Sequence, residues 1–235
     1  MTTLERSTSV AQIVLDHPEC AKIFHHHRVD FCCRGELSLA AVCAAKSLDA
    51  DAVTGELERA IEARAPNVGV DPRTMSTPEL VSYIVSRHHG YLNEVLPFLE
   101  PLAAKVARVH GDHNPKLLAV LDTLRELRST LEPHLREEEQ NLFPALMAQR
   151  AAGDRPPPGL ASMHDEHLRV GELLTSLRTS SDDFRAPDWA CGSYRTLVRE
   201  LEALEVDTMR HLHIENHVLM PRFAPTPIAQ QTPSP

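Results

Sequence analysis

Apolar residues recur along most of this chain at steps of three, four or seven, the spacing of one face of an α-helix. From Thr77 onward, four long segments carry that period. The first covers about 78–109 and opens on Thr77-Pro78-Glu79, with threonine as the expected N-cap and proline in the first turn. The second follows Asn114-Pro115 and is expected to stop near Phe143-Pro144. Pro156-Pro157-Pro158 precedes the third, over about 159–180, and the fourth falls between Ala186-Pro187 and Met220-Pro221. Segments of about 25 to 30 residues are roughly 40 Å long, ordinary for a helix bundle.

Before Thr77 the patterns are shorter. They break around Val29-Asp30-Phe31-Cys32-Cys33-Arg34-Gly35, then resume with Leu37, Leu39 and Val42, and again with Val53, Leu57 and Ile61. Ala65-Pro66-Asn67-Val68-Gly69-Val70-Asp71-Pro72 reads as a linker. The expected organisation is all-α. A small helical domain spans 1–65, a linker 66–77 and an up-down four-helix bundle 78–222. A tail over 223–235, rich in Pro, Thr and Gln from Ala224 onward, is expected to be disordered.

Composition supports helices over sheet, since aromatics are 4% and only 9 residues are glycine. A net charge of −9 gives no electrostatic reason to expect nucleic acid or an anionic membrane as partner. No stretch approaches the ~20 apolar residues of a membrane span, and Met-Thr-Thr-Leu-Glu-Arg lacks the features of a signal peptide. Cys20, Cys32, Cys33, Cys43 and Cys191 are odd in number and irregularly spaced, unlike a secreted disulfide framework. A cytoplasmic protein is expected.

The chemistry lies in an internal repeat. The second helix ends His134-Leu135-Arg136-Glu137-Glu138-Glu139-Gln140-Asn141-Leu142-Phe143-Pro144, and the fourth ends His211-Leu212-His213-Ile214-Glu215-Asn216-His217-Val218-Leu219-Met220-Pro221. Both fit H-L-x-x-E-x-x-x-L-[F/M]-P. His89 stands 45 residues before His134, and His167 stands 44 before His211. The bundle is thus expected to be two helical hairpins, each giving one lone histidine and one His-x-x-x-Glu pair. Residues four apart share a helix face, so each pair can bind one centre. The second copy, with Ile214 at i+3 and Glu215 at i+4, selects Glu138 over its neighbours Glu137 and Glu139.

The apolar stripes agree. Leu117, Leu121, Leu124, Leu131 and Leu142 continue through His134 and Glu138; Leu197, Leu201, Leu204, Thr208 and Val218 continue through His211 and Glu215. Met163, Val170, Leu174 and Leu177 carry His167 rather than His164. On the first helix His88 and His89 both fit, and the hairpin spacing favours His89. Four imidazoles and two carboxylates turned inward would be costly without a cation. Histidine with bridging carboxylate suits iron or manganese; zinc prefers closed tetrahedral sites or single ions. His25-His26-His27 cannot converge on one ion, because consecutive residues point about 100° apart, and is read as surface. His213 and His217 fall off the inward stripe, and His88 or His164 is a candidate supporting group. Cys20, Cys43 and Cys191 lie in helical patterns and read as packing residues.

With H-x-x-x-E in place of the Glu-x-x-His order of ferritin-type sites, residues 78–222 resemble a hemerythrin-like domain. The segment with Asp30-Phe31-Cys32-Cys33-Arg34-Gly35 is similar to the cysteine-pair domain fused before it in the repair-of-iron-centres family, the ScdA/YtfE type. That resemblance implies a di-iron protein, holding two iron ions, that repairs iron–sulfur clusters damaged by nitrosative or oxidative stress. Its metal ligands map onto His89, His134, Glu138, His167, His211 and Glu215, with the glutamates as bridges and His110 as an accessory candidate. Pro133, beside His134, departs from a regular helix and is expected to kink it. Implied partners are damaged iron–sulfur proteins, with nitric oxide or oxygen as small ligands, and a homodimer is allowed. Cys32 and Cys33 are candidates for thiol, iron or nitrosyl exchange, given a lowered thiol pKa that Arg34 would favour; the alternative is two apolar packing residues. Nitric oxide reduction at the same centre, or a sensing module, are the other functions open to this sequence.

Overall fold

The computed structural model describes residues 4–63, 70–148 and 159–223. Among these, helix accounts for nearly all regular structure and no strand forms beyond one bridge between Ser9 and Ser38. The N-terminal module contains α1 (Val10–Asp16), a 3-10 turn (Pro18–Cys20), α2 (Ala21–His26), α3 (Leu39–Ala45) and α4 (Ala50–Glu62). Side-chain caps set three of these starts: Ser9, Ser38 and Asp49 accept backbone N–H groups of α1, α3 and α4. Leu39, Val42, Val53 and Leu57 are buried as their spacing requires, but Leu37 is exposed, because α3 begins only after Ser38.

Four helical rods follow. The first is α5 (Thr77–Ile84), a wide π-turn (Val85–His89) and α6 (Gly90–His110). The second is α7 (Lys116–Glu137), a π-turn (Glu138–Leu142) and α8 (Phe143–Ala148). The third is α9 (Leu160–Ser180). The fourth is α10 (Gly192–Ile214), a π-turn (Glu215–Leu219) and a 3-10 turn (Met220–Arg222). α7 packs on α6 and on α9, and α10 packs on α6 and on α9, which closes the ring.

Several boundaries differ from the sequence expectation. Ser76, not Thr77, caps α5, in a capping box with Glu79 that leaves proline in the first turn. α10 starts at Gly192, five residues beyond Pro187. The second rod passes through Pro144 to Ala148, and Pro133 lies inside α7 without ending it. Residues 66–69 of the expected linker and 224–235 of the expected tail lie outside the described residues.

The N-terminal module packs directly on the bundle: Val10, Phe24, Phe31, Cys32 and Cys33 share one apolar core with Val170, Leu174 and Leu201. Gly35 sits at this seam. A Cβ there would stand 2.6 Å from the Ala11 Cβ and 3.0 Å from His217 Nε2. Gly35→Ala should therefore destabilise the protein by about 1–3 kcal/mol, the usual cost of overpacking, read as a lower denaturant midpoint at unchanged slope. A second apolar cluster, with Ile84, Leu142, Phe143, Met163 and Leu219, closes the other end of the bundle.

Candidate metal centre

Between these clusters the bundle is polar. His89, at the end of the first π-turn, meets His134 and Glu138 from the second rod, His167 from α9, and His211 and Glu215 from the fourth. All six are buried, Glu138 at 1% exposure and Glu215 at 0%. They form two overlapping groups whose ligand atoms lie within 4.8 Å of one another: His89, Glu138, His211 and Glu215, and His134, Glu138, His167 and Glu215. Within the first group the two Nε2 atoms are 3.2 Å apart, and within the second 3.3 Å.

Each carboxylate spans both groups. Glu138 turns Oε1 toward His134 Nε2 at 3.3 Å and Oε2 toward His89 Nε2 at 3.4 Å. Glu215 turns Oε1 toward His211 Nε2 at 2.9 Å and Oε2 toward His167 Nε2 at 3.3 Å. Both Glu138 oxygens and Glu215 Oε2 lack a hydrogen-bond donor. An orphaned buried carboxylate costs several kcal/mol unless a cation or a proton neutralises it. Two imidazoles and two shared carboxylates around each position are a donor set that fits a divalent or trivalent metal ion.

The six groups shift one another's protonation. Burial would raise Glu138, but His134 and His89 outweigh it and hold the carboxyl well below the usual carboxylate range. Glu215 is pushed up, by burial and by the negative Glu138 beside it. Burial lowers His134, yet Glu138 overrides it and brings the imidazole to about 9, while His89 also moves up. His167 and His211 move down, through burial and, for His211, the neighbouring His89. The site keeps one carboxylate ionised between protonated imidazoles, and metal entry would displace those protons.

Outer groups fix the rings. His89 Nδ1 donates to Glu139 at 2.8 Å, His134 Nδ1 to Glu166 at 2.7 Å, and His167 Nδ1 to Asn216 Oδ1 at 2.8 Å. Such bonds turn Nε2 toward the centre. His211 Nδ1 has no such partner; its ring stacks on His88, centroids 5.6 Å apart with the planes nearly parallel, and His88 bonds Asp207. His164 is exposed, and its charge acts on His217 rather than on the six. His110 is placed elsewhere: it closes the far end of α6, 21 residues and about 30 Å from His89, against Cys191 and Trp189. The accessory role does not fit that position. Cys191 is exposed and precedes α10, so it is not a helix packing residue.

The wide π-turns begin at Glu138 and Glu215 and end at His89, as such turns often do at functional sites. Phe143 and Met220 donate the wide i→i+5 bonds to the Glu138 and Glu215 carbonyls, and a proline directly follows each donor. Proline has no N–H and clashes with the carbonyl four residues back, so Pro144 and Pro221 are the readable trace of those turns.

The cysteine pair lies behind His167. Cys33 Sγ is 3.3 Å from the His167 carbonyl oxygen, and Cys32 Sγ is 3.5 Å from Cys33 Sγ. Gly171, one turn along α9, faces the same thiol; a Cβ there would be 3.6 Å from Cys33 Sγ, an ordinary contact. Asp30 Oδ1 accepts from the Cys32 and Cys33 backbone N–H groups at 3.0 and 2.8 Å. The bond to Cys33, then burial, then the negative Asp30 raise the Cys32 thiol well above its ordinary value. Arg34 is exposed and does not reverse this, so the lowered thiol pKa expected from the sequence is not found at Cys32.

The end of the fourth rod clamps this loop. His213 Nδ1 donates to the Phe31 carbonyl at 3.1 Å; Asn216 Nδ2 and His217 Nε2 donate to the Cys32 carbonyl at 3.0 and 2.8 Å. Asn216 thus touches both His167 and the cysteine loop. His25 and His27 are not free surface groups either, since His25 meets Glu205 and Arg178 and His27 meets Glu56.

Burial, then the neighbouring His217, lowers His213 from an ordinary 6.5 to about 3. Its contribution to folding is complete above about pH 6.5 and is lost as pH falls toward 3, at up to about 1.4 kcal/mol per pH unit. Acidification should therefore loosen the clamp. Labelling of Cys32 and Cys33 by dithiodipyridine, a reagent active in acid, should accelerate between pH 6.5 and 4, and His213→Gln should flatten that dependence. A pH-independent rate in the parent protein would contradict it.

A cation-binding four-helix bundle of the hemerythrin kind is the class that this ring of rods and this donor set define. The model of the Hemerythrin HHE cation binding domain matches residues 80–224, and that of the ScdA N-terminal domain, a domain of unknown function (DUF542), matches residues 6–61. The iron-sulfur cluster repair protein ScdA of Staphylococcus haemolyticus is 33% identical over 217 residues, 92% of this chain and 97% of that protein. The iron-sulfur cluster repair protein YtfE of Yersinia pseudotuberculosis is also 33% identical over 217 residues, covering 92% and 96%. The chain belongs to this ScdA/YtfE family of hemerythrin-domain proteins.

Proposed function

We propose that the chain holds two iron ions in the two overlapping groups and uses them to repair iron–sulfur clusters damaged by nitrosative or oxidative stress. The observation that carries this reading is the pair of buried carboxylates, each with one oxygen toward either group and three of their four oxygens without a donor. In it, His89 and His211 would hold one ion and His134 and His167 the other, with Glu138 and Glu215 available to both. Bound iron would supply a ferrous–ferric couple and an open position for nitric oxide or oxygen. The protein's own part is orientation and exclusion of water. Glu139, Glu166 and Asn216 hold the ring Nδ1 protons, and Phe143, stacked 5.7 Å from His89, covers the site from the apolar end.

The relatives' names supply the substrate class, damaged iron–sulfur proteins. Two modules divided near residues 66–77 fit the same reading, the first delivering Cys32 and Cys33 to the back of His167. Because Cys32 is held protonated and buried, thiol exchange with a damaged centre requires the clamp of His213, Asn216 and His217 to open. Free cysteines and a redox-active iron pair suit a reducing, cytoplasmic setting; no described helix is long and apolar enough to cross a membrane. The test mixes iron-loaded protein with a cluster enzyme inactivated by nitric oxide. Activity should return with the parent protein and fail with Cys32→Ser/Cys33→Ser. Recovery with the double variant would remove the thiol role, and no recovery with the parent, alongside turnover of nitric oxide to nitrous oxide, would favour a reductase.

A further inference from the structure

One concave region of this acidic protein is basic. Between α2 of the N-terminal module and α9 and α10 lies a cleft of about 850 Å³, within the size range of small-molecule sites. Six lysine and arginine side chains line it, Lys22, Arg28, Arg178, Arg185, Arg199 and Arg210, against two carboxylates, Asp183 and Glu202. Arg28 and Arg178 are already tied to Asp183 and Glu205, and Arg199 to Glu200. Lys22, Arg185 and Arg210 are exposed, and no described carboxylate pairs with them. Unpaired cations gathered around a concavity are an electrostatic focus for anions.

The floor of the cleft is built. The Arg178 side chain is 11% exposed; its Nε donates to both Glu205 oxygens at 3.0 Å, and its guanidinium lies 4.9 Å over the Phe184 ring. Its Nη1 faces Asp183 Oδ1 at 3.6 Å, an ion pair longer than a hydrogen bond. His25 completes the floor, Nε2 at 2.6 Å from Glu205 Oε2. The wall is also held. Asp182, Asp183 and Phe184 follow one another at φ 52°, 57° and 57°, a left-handed run that is sterically unfavourable for residues with a Cβ. It persists because Asp183 ties to Arg28 across the module seam and Phe184 is buried beneath Arg178.

We propose that this cleft binds a small polyanion carrying two or more carboxylates or phosphates. Lys22, Arg185 and Arg210 attract it at the rim, and the spare Nη1 donors of Arg178 receive one of its groups at the floor. The cleft has a smaller neighbour. A chamber of about 70 Å³ shares His25, Arg28, Arg178 and Met209 with the cleft and is walled by Cys32. A bound anion would therefore lie beside the chamber that reaches Cys32. None of this depends on a metal ion in the bundle.

The test titrates the iron-loaded full-length protein calorimetrically, at low ionic strength, with tricarballylate and separately with fructose 1,6-bisphosphate. Arg185→Glu/Arg210→Glu is run beside it. At least one probe should saturate at one per chain, and the double variant should weaken it by about tenfold or more, because each lost charge-assisted bond is significant alone. Iron content, measured before and after, should not change. Tricarballylate alone binding would assign a carboxylate ligand; the bisphosphate alone would assign a phosphate. Should the charge reversal impair folding, Arg185→Gln/Arg210→Gln, checked by thermal melting, decides the matter by a smaller loss. Neither probe binding, or equal binding by parent and folded variant, would overturn the proposal.

Discussion

Stripped of metal, a Glu138→Leu protein should melt at a higher temperature than the parent; loaded with iron, it should melt lower. In the metal-free protein, Glu138 is an ionised group buried at 1% exposure with neither oxygen accepting a hydrogen bond. Its ion partners, His134 and His89, are imidazoles that shed their protons once the carboxylate is gone. The substitution therefore removes a buried ion pair rather than stranding one charge, and replacing such a pair by apolar groups is often neutral or stabilising by about 1–4 kcal/mol. The same change removes one donor from each group at once. Loss of a supporting hydrogen bond alone costs metal affinity about 10–100-fold, so losing a shared ligand should exceed about 100-fold. Ligand binding stabilises in proportion to the logarithm of occupancy, so the loaded variant forgoes that stabilisation. Thermal melts with chelator and with ferrous iron, under anaerobic conditions, read both signs. A variant that gains as much from ferrous iron as the parent does would mean that Glu138 is not a metal ligand.

The second large effect belongs to Asn216, which accepts from His167 Nδ1 and donates to the Cys32 carbonyl. Asn216→Leu leaves His167 Nδ1 without its acceptor, at about 1–3 kcal/mol, removes one of the two donors to the Cys32 carbonyl, and should cut iron affinity by about 10–100-fold. Asn216→Asp separates the two functions. An aspartate still accepts from His167 but donates nothing to Cys32, so iron binding should be nearly retained while labelling of Cys32 and Cys33 accelerates. Iron titration and thiol labelling on the same two variants give the comparison. Equal iron loss in both variants, or unchanged labelling in Asn216→Asp, would break the link between the bundle and the cysteine loop.

Much of this was legible in the sequence because helices convert spacing into direction. Leu117, Leu121, Leu124 and Leu131 lie on one stripe, all are buried, and the same stripe carries His134 and Glu138 inward. The duplicated motif also separated Glu138 from Glu139, which the structure turns outward to hold His89. What escaped has two causes. The π-turns insert a residue and shift register locally, which is how His88 and His89 can both be buried. More important, the end of the fourth rod has two buried faces rather than one. His213 and His217 leave the metal stripe because they face the N-terminal module, and periodicity toward a single core cannot register a second one. The trace was present in composition: from His211 to Pro221 the only carboxylate or cationic chain is Glu215, unusual for a helix facing water. Docking of the cysteine loop needed contacts between residues more than 130 positions apart, such as Cys33 with His167, and no local pattern carries those.

The central claim is that six side chains from four rods hold a pair of iron ions, and iron stoichiometry with a Mössbauer spectrum of anaerobically loaded protein tests it most directly. The account predicts two irons per chain in nitrogen- and oxygen-rich sites coupled to each other, with both signals lost together in Glu138→Leu. One isolated iron, or none, in the parent protein would contradict it.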